Sequence, residues 1–218
     1  MVKIGVILSG CGVMDGAEIH ESVITLLALD RAGADVVFMA PNESQMHVVN
    51  HLTNEPVSET RNVLVESARI ARGDVRDIAT VQASEVDGVV VPGGFGAAKN
   101  LCNFATAGAG CEAHPDVARL LEEVHGQGKP IGALCIAPAL MARVFGDIKP
   151  TLTIGNDAGT AAALTSMGAM HQDCAVGDCV VDEANKIVTT PAYMLAQSIK
   201  DAAAGIEKLV TAVVEMAR

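Results

Sequence analysis

The sequence predicts an α/β protein built on a mainly parallel sheet with helices on both faces, and three observations carry that prediction. Short continuous apolar runs recur along the chain, each followed by a Gly- or Pro-containing turn and then, in most cases, by apolar residues at helical spacing. These runs are unbroken Val, Ile and Leu rather than alternating polar and apolar, the pattern of strands buried on both sides. One run turns abruptly into a helix at a lone cysteine, in Gly132-Ala133-Leu134-Cys135-Ile136-Ala137-Pro138. With 218 residues and no linker-like stretch, the chain is expected to form a single domain over residues 1–218.

In order, residues 2–8 form the first strand, ending in Ser9-Gly10, and a glycine-rich loop leads to helical periodicity over 19–32 with a stop at Gly33. Residues 35–40 are the second strand, and residues 87–91 are another, ending in Pro92-Gly93-Gly94-Phe95-Gly96. The stretch between, 42–86, reads as a crossover with a surface excursion and a helical piece over 62–72. Lys129-Pro130 open a strand over 131–134, followed by the elbow helix to Gly146. A short strand is expected at 152–154, a helix over 157–167 stopped by Gly168, a hairpin of 179–182 with 186–190, and a C-terminal helix over 195–217. Parallel strands joined by right-handed crossovers open their ligand site beyond the carboxyl ends of the strands. Gly10-Cys11-Gly12, Gly93-Gly94 and Cys135 should therefore meet at one crevice.

Composition excludes several classes of function. With 26 acidic against 15 basic residues the net charge is −11, which repels phosphate backbones, so no nucleic-acid partner is expected. No stretch approaches the ~20 apolar residues that span a bilayer, so no membrane role is expected. The sequence starts on a strand without a basic, then apolar leader, so a cytoplasmic protein is expected, with a mature form cut from an organelle-targeting peptide left open. Six cysteines in no paired framework fit a reducing compartment.

A cysteine where a strand becomes a helix is lifted clear of the backbone and aimed at the helix N-terminus, where amides and the dipole favour a thiolate. This is the cysteine counterpart of the nucleophile elbow, and it makes Cys135 the candidate nucleophile against the alternative of a buried cysteine that only packs. Such a nucleophile needs a group to handle protons, and Glu21, in the first turns of the first helix, is the best placed. Glu18, a turn earlier, reads equally as a charge complementing the helix dipole. Gly93-Gly94 let backbone amides approach a ligand as oxyanion donors, with the Ile136 amide as second donor, unless Pro92-Gly93-Gly94 is merely a turn. Gly10-x-Gly12-x-x-x-Gly16 resembles a nucleotide-binding pattern, but Asp15 and Glu18 carry the wrong sign for phosphate. His171, Cys174 and Cys179 lack a fourth ligand and suit no common zinc module. No metal or cofactor is therefore expected, and His20, His47, His51, His114 and His125 are assigned solvent or capping roles.

Three motifs in order, Gly16-Ala17-Glu18-x-x-Glu21-Ser22-Val23, Val89-Val90-Val91-Pro92-Gly93-Gly94-Phe95-Gly96, and Ile131-Gly132-Ala133-Leu134-Cys135-Ile136-Ala137-Pro138, resemble the ThiJ/PfpI-like class I glutamine amidotransferase superfamily. The whole chain, including the segment from Asp182 to Met194, is similar to the ElbB-type glyoxalases, also called enhancing lycopene biosynthesis or sigma cross-reacting proteins, a family name that suggests a link to isoprenoid biosynthesis. The resemblance implies a flavodoxin-like three-layer sandwich, a homodimer, and an elbow cysteine beside a protonated glutamate. It implies a glutathione-independent, metal-free glyoxalase (a lyase) that turns a small-molecule aldehyde, glyoxal, into glycolate, with Cys135 as nucleophile, Glu21 as proton shuttle and the backbone of Gly93, Gly94 and Ile136 as oxyanion donors. This chain departs from relatives in three places. Glutaminase members pair the cysteine with a later histidine and acid, whereas His171 is the only histidine after Cys135, so a complete triad is not expected. Ile136 stands where the intracellular-protease branch has histidine, which disfavours proteolysis. The histidine that many glyoxalase relatives carry after the elbow helix is missing, and Asn156 or Asp157 is the candidate polar partner in its place. The alternative function is a cysteine-based oxidative-stress sensor, or a protein deglycase with little glyoxalase turnover.

Overall fold

The computed structural model describes residues 1–218. The elements run β1 (Lys3–Ile7), α1 (Ile19–Arg31), β2 (Asp35–Ala40), β3 (Val49–Asn50), β4 (Glu55–Pro56), α2 (Val63–Ile70), β5 (Arg76–Asp77) and β6 (Gly88–Val91). They continue as α3 (Phe95–Lys99), α4 (Phe104–Ala107), α5 (Pro115–Gly126), β7 (Ile131–Leu134), α6 (Pro138–Phe145), β8 (Thr151–Leu152), α7 (Ala158–Ser166), β9 (Met170–His171), β10 (Val180–Asp182), β11 (Ile187–Thr190) and α8 (Ile199–Met216).

A seven-stranded sheet in the order β10-β11-β7-β6-β1-β2-β5 forms the middle layer, parallel except for the edge strand β10. Side chains alternate across it, as the two-residue period of a strand demands. From β6, Val89 and Val91 enter one core with Leu120, Leu121 and Val124 of α5 and Leu140 and Met141 of α6. Val90 enters the other, with Ile4, Val6, Ile24 and Leu29 near α1 and Ile206, Leu209 and Val213 of α8. The expected three-layer, flavodoxin-like α/β sandwich is the fold observed. No helix is long and apolar enough to cross a membrane.

The structure corrects several boundaries. The C-terminal helix starts at Ile199 rather than 195, because residues 192–194 form a 3-10 turn and the Ser198 side chain caps α8 by accepting from Asp201 N. The elbow helix starts only at Pro138, a favoured first helical residue, so residues 135–137 are turn. The strand expected at 152–154 is Thr151–Leu152, paired with β9 outside the main sheet. Within the 42–86 excursion lie the hairpin β3–β4, the helix α2 capped by Asn62, and β5, which closes the sheet edge beside β2.

Because Leu209 is fully buried in the α8 layer, Leu209→Ala should lower unfolding free energy by about 3 kcal/mol. Leu52, 91% exposed on the β3–β4 hairpin, should change stability by less than about 0.5 kcal/mol when replaced by alanine. Urea unfolding midpoints of the two variants check this pair of outcomes.

Candidate active site

Four chain segments meet at the carboxyl edge of the sheet. β7 delivers Cys135, whose amide extends the ladder by donating to Thr190 O of β11 (3.0 Å). The chain then reverses at once, with Ala137 N donating to Leu134 O (2.9 Å). To do so Cys135 adopts φ 58°, a left-handed conformation that costs a non-glycine residue roughly 1–2 kcal/mol. The amides of Gly94 and Ile136 and the carboxyl of Glu21 all hydrogen-bond its sulfur.

Glu21 is fully buried. Its Oε2 accepts from Gly93 N (2.9 Å) and its Oε1 from Tyr193 N (3.1 Å). The remaining hydrogen bond runs to Cys135. Glu18 locks the helix start: as N-cap its Oε2 accepts from Glu21 N (2.7 Å), and its own amide donates to Gly93 O (2.9 Å). The dipole-complementing reading of Glu18 therefore describes its contacts. Gly93 must be glycine, since a Cβ there would lie 2.5 Å from Cys135 Cβ and 2.6 Å from Glu21 Oε2. Gly94, at φ 92° with Gly16 O and Glu18 N pressed against it, has no room for a side chain either.

Burial raises the Glu21 carboxyl to about 7, with the charge of Glu18 adding to the effect and the hydrogen bonds from Tyr193, Cys135 and Gly93 opposing it. Burial likewise pushes the Cys135 thiol well above its usual range, and the Glu21 charge pushes it further, against the pull of the Gly94 and Ile136 amides. This corrects the expectation that the helix N-terminus alone yields a thiolate. Desolvation outweighs the two amides that favour the charged sulfur. Sulfur and carboxyl are hydrogen-bonded to each other, so their protons come off as those of one coupled unit.

A cavity of ≈340 Å³ opens above the sulfur, walled by Val13, Phe95, Ile136, Tyr193 and Met194 with Glu18 and Thr160 as polar edges. Of the expected site residues, Cys135, Glu21, Gly93, Gly94 and Ile136 come together. The amides of Gly94 and Ile136 face the sulfur, but Gly93 is corrected from oxyanion donor to anchor, because its amide is spent on Glu21. Asn156 and Asp157 are corrected too. Both are exposed and neither lines the cavity; the Asp157 side chain caps α7 through Thr160 N (2.7 Å), leaving Thr160 as the residue α7 presents there.

Sequence reasoning missed Tyr193, the only tyrosine in the chain. It follows β11 at the same sheet edge, where the strand-end rule could have found it. Ala192 before it is buried at φ 44°, which turns the Tyr193 amide to Glu21. His20, assigned to solvent or capping, instead pairs through Nδ1 with the Tyr193 hydroxyl (2.8 Å). His171 does not line the cavity; its Nε2 accepts from Ile154 N (3.4 Å). The glycine loop after β1 folds on itself, with Gly12 N donating to Ala17 O and Gly16 N to Gly12 O. The amides of Gly12 and Gly16 are thus spent within the loop, and no group of three His, Cys, Asp or Glu side chains is placed to hold a metal ion.

An elbow cysteine facing a buried glutamate, on a parallel sheet covered on both sides, defines a class I glutamine amidotransferase-like protein. The chain belongs to the DJ-1/PfpI family, matched over residues 11–202. It is 45% identical over 224 aligned residues to glutamine amidotransferase-like class 1 domain-containing protein 3, mitochondrial, of Homo sapiens, covering 98% of this chain and 83% of that one. It is 37% identical to the ES1 protein, mitochondrial, of Danio rerio, covering 88% of this chain and 77% of that one. A crystal structure of an isoprenoid biosynthesis protein with an amidotransferase-like domain from Ehrlichia chaffeensis superposes with a TM-score of 0.94 at 39% identity, covering the whole of both chains.

A carboxyl raised from 4.5 to about 7 binds its proton more tightly in the folded protein than in the unfolded chain. Its stabilising share is therefore complete below about pH 4.5, falls as pH rises to about 7, and is gone above it; the total is about 3 kcal/mol. Glu21→Gln lacks this dependence. The stability of the native protein relative to Glu21→Gln, read from urea midpoints between pH 4.5 and 8, should fall by about that amount; parallel curves would contradict the raised carboxyl.

Proposed function

We propose that the protein is a glutathione-independent glyoxalase of the ElbB type that converts glyoxal to glycolate. The observation that carries this reading is the buried Glu21 carboxyl, near 7 and hydrogen-bonded to the elbow sulfur. A group titrating close to neutrality can both take and return a proton, as an internal redox reaction between two adjacent carbons requires.

The Cys135 sulfur adds to one aldehyde carbon while its proton passes to Glu21, and the new alkoxide forms against the amides of Gly94 and Ile136. Glu21 hands that proton to the alkoxide, giving a hemithioacetal. The carboxylate then removes the hydrogen from the sulfur-bearing carbon and delivers it to the neighbouring carbon, while the hydroxyl proton on the first carbon passes to the oxygen on the second, leaving a glycolyl thioester. Water cleaves the thioester to glycolate and the free thiol, so one glyoxal and one water give one glycolate. Neither metal nor cofactor enters.

The sensor alternative has less support, since a thiol pushed up by burial is slow to oxidise. The homodimer reading draws on α1, where Ile19, Val23 and Leu27 form an exposed stripe at 44%, 51% and 45%, an i, i+4, i+8 face suited to a second copy. A reducing compartment suits the six free cysteines; the cytoplasm remains our reading, beside relatives whose names place them in mitochondria.

Purified protein should release glycolate from glyoxal without glutathione. Cys135→Ser should lower kcat/KM by about 10³-fold or more with the fold intact. Glu21→Gln should lower it by about 10²–10⁴-fold while iodoacetamide still alkylates Cys135. Normal turnover by either variant would sink this function.

A further inference from the structure

Away from the crevice, three sulfurs from three parts of the chain come together. Cys102, just after α3, forms an antiparallel bridge with Ala113, flanked by Asn103 N donating to Glu112 O (3.1 Å) and His114 N to Leu101 O (2.9 Å). Cys111 stands two residues before Ala113 and so shares a face with Cys102, and the two sulfurs are hydrogen-bonded. The helix α7 packs against residues 108–110 and brings its C-cap, Met167, to the same place. The Met167 Sδ lies 3.7 Å from Cys111 Sγ. Both cysteines are buried and Met167 is half-buried. Two sulfurs held by one soft ion at about 2.3 Å each stand about 3.8 Å apart at a tetrahedral angle and about 4.0 Å at a trigonal one. The cluster therefore needs little movement to close on such an ion.

We propose that Cys102, Cys111 and Met167 form a three-sulfur site for one soft monovalent cation, Cu(I). A thioether beside two thiols selects soft ions, and the oxygen ligands that harder divalent ions take are missing from the trio. The hydrogen bond from Cys102 and the charge of Arg143 both favour the thiolate of Cys111 against its burial. Two thiolates and one monovalent cation leave a single negative charge, which Arg143 offsets. Binding displaces the remaining thiol proton to water, and no electron moves. Cys102 also forms part of the wall of a ≈210 Å³ cavity shared with Glu43 and Glu112, whose carboxylates attract a cation toward it. The inference is independent of the chemistry at Cys135.

Titration of the reduced full-length protein with Cu(I) in the absence of oxygen, in competition with the chelator bicinchoninate, tests it. The expected result is one tightly held Cu(I) per chain, with affinity lowered about a hundredfold or more in Cys111→Ser and about tenfold in Met167→Leu. Affinity should be unchanged in Cys135→Ser and in the double variant Cys174→Ser, Cys179→Ser. Equal affinity in the native protein and Cys111→Ser, or displacement of the Cu(I) by an equal concentration of Zn²⁺, would overturn the proposal. X-ray absorption of the native protein with one equivalent of Cu(I) needs no substitution. Three sulfurs at about 2.3 Å uphold the site, and fewer sulfurs, or nitrogen and oxygen in their place, overturn it. With the redox-inert probe Ag(I), one methyl NMR signal among the nine methionines should shift, and that signal should be missing from Met167→Leu. A shift confined to another methionine, or no shift, overturns the assignment of Met167 as a ligand and with it the three-sulfur site.

Discussion

The burial of one carboxyl organises this site. Glu21 sits with no exposed surface, and its oxygens are held by two amides from distant parts of the chain, Gly93 after β6 and Tyr193 after β11. The sulfur at the end of β7 is its third partner. Removing a carboxyl from water disfavours its charged form, and two neutral amide donors recover only part of that cost. The group therefore keeps a proton far above the usual carboxylate range. The same desolvation acts on Cys135, so neither partner ionises freely. On the proposed function, the pair reacts by exchanging a proton at short range rather than from a standing thiolate.

Holding this arrangement requires backbone that the residues would not adopt alone. Cys135 and Ala192 are the buried non-glycine residues with left-handed φ; the others, Asn54, Arg72, Lys149 and Lys186, lie at exposed or half-exposed turns. Both buried exceptions sit at the ends of neighbouring strands, β7 and β11, which pair in register from Ile131 with Ile187 to Leu134 with Thr190. The ladder fixes where each strand ends, and the strained residue converts that end into a direction: sulfur toward the cavity in one case, an amide toward Glu21 in the other. Strain of roughly 1–3 kcal/mol per residue persists because a fully packed sheet over-determines it. Glu18 adds the last constraint by tying the first turn of α1 to Gly93.

The parts legible in the sequence were those set by local pattern. Unbroken apolar runs marked β1, β2, β6 and β7 to within about two residues, and the abrupt turn at Cys135 and the acidic first turn holding Glu21 could be read directly. A helical stripe of Val117, Leu120, Leu121 and Val124 was present as well and would have given α5. The rest depended on which distant groups share a donor. That Gly93 serves Glu21 rather than a substrate oxygen, and that Asp157 caps its own helix, follow from hydrogen-bond geometry absent from residue spacing. The helix-dipole argument for a thiolate failed because it weighed a favourable field without the desolvation opposing it. Tyr193 was missed because it serves Glu21 through its backbone amide, in the 3-10 turn after β11, a role that residue type does not signal.

The protonation of Glu21 is the most direct measure of this account. Infrared difference spectroscopy across a pH titration, comparing the native protein with Glu21→Gln, isolates the carbonyl stretch of a protonated carboxyl belonging to that residue. The account predicts a band present at acid and neutral pH that titrates away near 7 and is missing from the variant. A band already lost near the ordinary carboxylate value of about 4.3, or absent throughout, would contradict it.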